Sequence, residues 1–155
     1  MPEPRSRLAA AFGLTEHEIG ERPLWVDAGA EQLMVPLVSE AAVRGARVRA
    51  DLFTGLAGAL GHAQAYLFAP AGHGLLARFF FVQGMSVLED PATGSAAANL
   101  GGWCQAMQRP LPCELEIAQG EYTGRPSALR LRVEAGGAIQ VSGEVIELGR
   151  GTISL

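Results

Sequence analysis

The run from Leu88 to Trp103, LEDPATGSAAANLGGW, narrows what this chain can fold into more than any other stretch. Pro91 keeps Asp90 out of the helical region, because the proline ring crowds the residue before it. Thr93 is a good N-cap, its hydroxyl able to accept from the amide of Ala96. Gly94 and Ser95 leave helix-start N–H groups facing outward with little side chain in the way, and such amides attract anions. The segment reads as a strand end, a tight turn and an anion-receiving helix start with a carboxylate beside it. Taken alone, it also describes a capped core helix after an ordinary turn. The helix body carries Leu100, Trp103, Cys104 and Met107 at i, i+3, i+4 and i+7 and is otherwise mostly Ala, Ser and Gly. A helix so small on most sides is enclosed by other elements.

The 155 residues suit about one domain. Hydrophobic residues make up 48% and charged residues 18%, below the ~25% of ordinary domains. Either the core is unusually complete or an apolar face expects a partner. The net charge is −4 without a basic cluster, which argues against nucleic acid. No apolar run reaches the ~18 residues of a membrane span. The opening MPEPRSRLAAAFGL lacks the apolar stretch and cleavage site of a secretion signal, so the expectation is a cytoplasmic protein with reduced thiols. Cys104 and Cys113 make no disulfide framework. His17, His62 and His73 are scattered without metal-ligand spacing, so no metal is expected and surface positions are.

Along the chain, 5–13 reads as a helix ending at a C-cap glycine. Residues 25–28 and 32–38 read as strands, the second apolar on both faces, with Pro36 marking an edge or bulge. Residues 43–48 are undecided. Residues 51–60 read as a helix, with Leu52, Leu56, Ala59 and Leu60 at helical spacing. Strands follow at 64–68 and 76–82, then a turn at 83–86, the helix of 94–107, and strands at 113–118, 128–134 and 139–146. Residues 153–155 offer a short final strand. Leu129, Leu131 and Val133 alternate with Arg130, Arg132 and Glu134, which makes that strand half solvated. Gly136–Gly137 suits a two-residue hairpin turn. The sum is one α+β domain over 1–155. Its mixed strands form a barrel-like roll around the helix of Gly94 to Met107, with two peripheral helices.

The stretch RFFFVQGMSVLEDPATGSAAANLGGW, followed by QGEYTGRPSALRLRV, resembles the PhzF-like phenazine-biosynthesis isomerase family of the diaminopimelate epimerase superfamily. The resemblance implies one lobe of a two-lobed fold, each lobe a barrel around a central helix with the active site in the cleft between. This chain corresponds to the C-terminal lobe. The lobe that carries the family's acid/base glutamate has no counterpart in it. Asp90 matches the family's aspartate at the cleft, and Gly94 and Ser95 match the glycine and serine that hold substrate. Thr93 and Ala96 flank them in the same substrate-binding turn. Where the family often has histidine in GSAH, this chain has Ala97. Related amino-acid racemases place a cysteine just after the TG pair. Here Ser95–Ala96 stand there, which disfavours a two-thiol racemase and leaves Cys104 as a packed thiol.

The activity so implied is proton transfer beside a carboxylate or enol system without metal or organic cofactor. Asp90 either carries that proton or braces the turn, since a carboxylate at a helix start is stabilising in itself. Arg125 either meets an anionic substrate or forms a structural ion pair. Two functions stand side by side. One is an isomerase lobe acting on a small carboxylate, either completed by a separate N-terminal lobe or cut from a longer protein. The other is a non-catalytic module, or remnant of such an enzyme, that pairs with itself as a homodimer.

Overall fold

The computed structural model describes residues 3–153. Helix α1 (Arg5–Phe12) leads through a short 3-10 turn to strands β1 (Leu24–Asp27) and β2 (Glu31–Pro36). Helices α2 (Glu40–Gly45) and α3 (Ala50–Phe53) precede β3 (Gln64–Ala71), β4 (Gly74–Gln83) and β5 (Ser86–Asp90). Helix α4 (Gly94–Ala106) precedes β6 (Cys113–Gln119), β7 (Ser127–Val133) and β8 (Ile139–Gly143). The strands form one mixed sheet in the order β1-β2-β3-β4-β6-β7-β8, with β5 also on β4.

Two parallel pairings organise this sheet, β2 with β3 and β4 with β6. Parallel neighbours need a crossover between them. The first crossover carries α2 and α3; the second carries β5 and α4. The two crossovers place their helices on opposite faces. Leu33 and Val35 of β2, Ala65, Leu67 and Ala69 of β3, and Leu76 and Phe80 of β4 share one core with Leu8 and Phe12 of α1, Val43 of α2 and Phe53 of α3. The alternate residues Met34, Tyr66, Phe68, Ala77 and Phe79 join the second core with Ala96, Leu100 and Trp103 of α4. The period-2 alternation of strand side chains thus feeds two cores from one set of strands.

Helix α4 packs on β1 and β2 and also on β7 and β8, the two ends of the strand order. The sheet therefore curls into a half-barrel that brings both ends of its strand order against α4. The small residues permit this closeness: a Cβ at Gly101 would lie 3.0 Å from Ile139 of β8, and one at Gly102 would lie 2.9 Å from Val26 of β1. The opposite face of β6 and β7 is open to solvent. There the register sets Glu114 against Arg132 and Glu116 against Arg130, all exposed, as the alternation predicts.

Several expectations change in detail. The helix read at 51–60 lasts only four residues, because Gly55 and Gly58 stop it, although Leu56 is still buried. The undecided stretch near 43–48 contains the end of α2, which Ser39 caps by accepting from the Ala42 amide at 3.1 Å. Three helices, not two, flank the sheet away from α4. The strand of 139–146 ends at Gly143, and 144–153 form no strand. The last two residues of the proposed 153–155 strand lie outside the described residues. The Gly136–Gly137 hairpin takes three loop residues: the Gly137 amide donates to Glu134 O at 2.9 Å and Gly137 has φ +89°. That is a turn closed by a left-handed bulge residue. Among the described residues, no helix is long and apolar enough to cross a membrane.

Candidate functional site

The edge of β4 opposite β3 changes partners partway along. Leu75 and Leu76 pair with Ile117 and Ala118 of β6, and Phe79 to Gln83 pair with β5. The sheet forks at this handover. Asp90 ends β5 opposite Phe79, and Gln119 ends β6 one residue past the Ala118–Leu76 pair. Helix α4 starts in the fork. Gly120, which follows, has φ +86°, and a Cβ there would lie 2.2 Å from Arg125 O and 2.6 Å from Pro91 O. Only glycine lets the 120–125 loop close against the turn before α4.

Gln119 bridges the fork. Its Nε2 donates to the Asp90 backbone O at 2.7 Å and to Thr93 Oγ1 at 2.9 Å. Its Oε1 accepts from Tyr66 Oη at 3.2 Å and from the Thr93 amide at 3.4 Å. Tyr66 is fully buried, which pushes its phenol far above the usual range and keeps it a donor. Thr93 Oγ1 already accepts from Gln119, so its own proton goes to Asp90 Oδ2, at 2.6 Å.

This corrects the cap expected of Thr93. Its side chain makes no cap hydrogen bond to the helix; it holds the Asp90 carboxylate instead. The first helical bond of α4 runs from the Ala97 amide to Thr93 O at 3.0 Å. The amides of Gly94, Ser95 and Ala96 precede it and are the orphan donors of the helix start. Gly94 and Ser95 are exposed, and Ala96 is buried. A cavity of about 500 Å3 opens beside this turn, between Ala92 and Gly94 and the facing Ser127 to Leu129 and Val141 to Glu144. Ligand sites commonly have that size. Of the candidate site residues Asp90, Thr93, Gly94, Ser95 and Ala96, only Gly94 lines it.

A second polar group lies under the same helix turn. Asn99, fully buried, accepts from the Ala28 amide at 2.7 Å and donates to Ala30 O at 2.7 Å and Gln32 Oε1 at 2.8 Å. Gln32 Nε2 donates to Ser95 Oγ at 3.0 Å and Gln64 Oε1 at 3.3 Å. Sequence reading passed over Gln32, Tyr66, Asn99 and Gln119. The available signal was polar side chains at inward positions of otherwise apolar elements, which burial permits only when they are paired.

Arg125 is exposed and makes no ion pair among the described residues, so the structural bridge expected of it is not present. His17, His62 and His73 are exposed, as expected. The described residues contain no cluster of histidine, cysteine or carboxylate side chains suited to a metal. Cys104 is buried at the far end of α4, where burial first, then its neighbour Cys113, pushes its thiol up to about 11. It packs, as expected, rather than reacts.

With the mixed half-barrel and its polar fork described, comparison with known proteins gives the family. The phenazine biosynthesis-like protein family matches residues 2–151, essentially the whole chain, and the chain belongs to it. It is 35% identical over 143 residues to an uncharacterized isomerase of Pasteurella multocida, covering 92% of this chain and 47% of that protein. It is 39% identical over 93 residues to the trans-2,3-dihydro-3-hydroxyanthranilate isomerase of Pseudomonas chlororaphis, covering 57% of this chain and 33% of that one. Its fold superposes with a TM-score of 0.76 and 28% identity on a predicted epimerase of Pseudomonas aeruginosa, covering 99% of this chain and 54% of that structure. The chain thus spans about half the length of the Pasteurella isomerase and of the Pseudomonas aeruginosa epimerase.

Proposed function

We infer that this chain is the C-terminal lobe of a PhzF-type isomerase or epimerase of the cytoplasm, built around α4 as its central helix. It takes a small carboxylate substrate. The exposed Gly94 and Ser95 amides receive the substrate carboxylate, while the amide of buried Ala96 lies behind them, and Asp90 moves a proton at a neighbouring carbon. Such an isomerisation removes a proton at one carbon and returns it at another, with no net oxidation, so positioned side chains suffice. The observation that carries this reading is the Thr93–Asp90 bond of 2.6 Å at the mouth of an exposed helix start. The bond aims the carboxylate while its Oδ1 takes no hydrogen bond among the described residues. The isomerase relatives support the reaction class.

A second lobe would complete the site: an N-terminal lobe bearing the second acid/base group, in the same polypeptide or another, or another copy of this chain. The copy is favoured by Val145, Ile146, Leu148 and Ile153, all more than four-fifths exposed just past the sheet's edge strand β8. Pairing with a copy is also the arrangement of a non-catalytic module. Native mass spectrometry of the purified chain separates these states, and a clean monomer at high micromolar concentration excludes the homodimer. The carboxylate site is tested by titrating the 15N-labelled chain with 3-hydroxyanthranilate. Expected are amide shifts centred on Gly94, Ser95 and Ala96. Their absence at millimolar ligand overturns the site.

A further inference from the structure

We propose that the buried amides of Asn99 and Gln32 act as positioning residues that make the Ser95 hydroxyl an outward-facing donor for an anionic oxygen. This rests on the carboxylate site read above. The direction of every bond follows from backbone groups whose chemistry is unambiguous. The Ala28 N–H can only donate, so the Asn99 atom 2.7 Å from it is the oxygen. The Ala30 carbonyl can only accept, so the Asn99 atom 2.7 Å from it is the nitrogen. That nitrogen meets Gln32 at 2.8 Å, so Gln32 turns its oxygen to Asn99 and its nitrogen to Ser95. Ser95 Oγ receives this N–H at 3.0 Å, which occupies a lone pair and leaves the hydroxyl proton directed elsewhere.

Ser95 is exposed, whereas Gln32 and Asn99 are 2% and 0% exposed. A fully paired buried network is stiff, because breaking any member strands a desolvated polar group. The hydroxyl is therefore polarised before a ligand arrives, in the turn whose amides face the same anion. The neighbouring relay sets the opposite sense: Gln119 donates to Thr93, so the Thr93 hydroxyl points its O–H at the Asp90 carboxylate rather than at a ligand. Two hydroxyls two residues apart are thus given different duties by two buried glutamines, Thr93 to hold the carboxylate and Ser95 to grip the ligand.

The test is a double-mutant cycle read by the 3-hydroxyanthranilate titration. Ser95→Ala should weaken binding about tenfold, the range of a hydrogen bond to a charged group. Gln32→Met should weaken it several-fold, and should add nothing in the Ser95→Ala background. Additive losses, or unchanged affinity in Gln32→Met, overturn the proposal and assign Gln32 to structure alone. Should Gln32→Met not fold, the near-isosteric Gln32→Glu serves. A glutamate accepts at both oxygens, so Ser95 must turn its proton inward, and Ser95→Ala should then cost nothing further. A full tenfold loss from Ser95→Ala in that background overturns the proposal. If wild-type protein shows no shifts at Gly94 to Ala96, the carboxylate reading itself falls, and the proposal with it. If wild type binds and the cycle is additive, only the relay falls.

Discussion

The two faces of the sheet are built from the same strands and hold different contents. Under α1, α2 and α3 the buried side chains are apolar except for Arg78. Its guanidinium donates to Glu89 at 2.9 and 2.8 Å and to the carbonyls of Val43 in α2 and of Ala46, which caps it, between the rings of Phe80 and Tyr122. It closes the C-terminal end of α2, where unpaired carbonyls favour a cation. Under α4 lie the other four buried polar residues of the described chain, Gln32, Thr93, Asn99 and Gln119, gathered beneath one exposed helix start. The difference teaches a division of labour. The first crossover buries its helices for stability, and the second spends part of its core on orienting groups at a fork that opens to solvent.

Phe12→Ala should break the first face hardest. Phe12 is fully buried, with its ring 5.7 Å from that of Phe53 and 6.5 Å from that of Phe80. The loss should be about 3–5 kcal/mol in denaturant unfolding, with the amide shifts at Gly94 to Ala96 preserved in whatever protein stays folded. Loss of those shifts in folded protein would mean the faces are not separable. Arg78→Met comes next, because Glu89 is left mostly buried and unpaired together with the two carbonyls at the end of α2. A cost of about 3 kcal/mol is expected from the same unfolding curve. A neutral result would make the guanidinium dispensable to the face it seals.

On the α4 face the site substitutions should be mild. Asp90→Asn keeps an acceptor for Thr93, and Ser95→Ala leaves Gln32 its bond to Gln64. Each should cost less than about 1 kcal/mol by thermal melting. A large loss in either would move that residue from ligand handling to structure. The smallest effect separates the thiols at the far end of α4. Burial holds Cys104 up to about 11, so at pH 8 it is almost wholly the unreactive thiol. Iodoacetamide followed by mass spectrometry should label the half-buried Cys113 first. Labelling of Cys104 should accelerate as pH rises towards 11, because its thiolate then appears. Equal rates at pH 8 would mean that this end of the α4 core opens readily.

Local signals were legible wherever short-range geometry decides. The aromatic run 76–82 lies within β4, the small-residue run 94–107 is α4 to within one residue, and the Arg130/Arg132 alternation faces solvent. The tight turn before α4 and the exposed Gly94–Ser95 start were also readable, since Pro91 and the helix-start residues act on their own neighbours. Thr93 was misjudged for a tertiary reason. A threonine at a helix start prefers the local amide, but Gln119, 26 residues later, supplies a donor that leaves its proton for Asp90.

What the sequence determined by itself was the family, the mixed α+β pattern and the turn that leaves the Gly94 and Ser95 amides free, because each is written in contiguous residues. What only the tertiary structure decided was the fork. Asp90 and Gln119 meet because β4 changes partners along a single edge, and Ser95 meets Gln32 because β2 and α4 share a core. Those contacts join residues 29 and 63 positions apart. Their energy comes from pairing polar groups that burial would otherwise leave unsatisfied, and burial is a property of the assembled sheet, not of any segment.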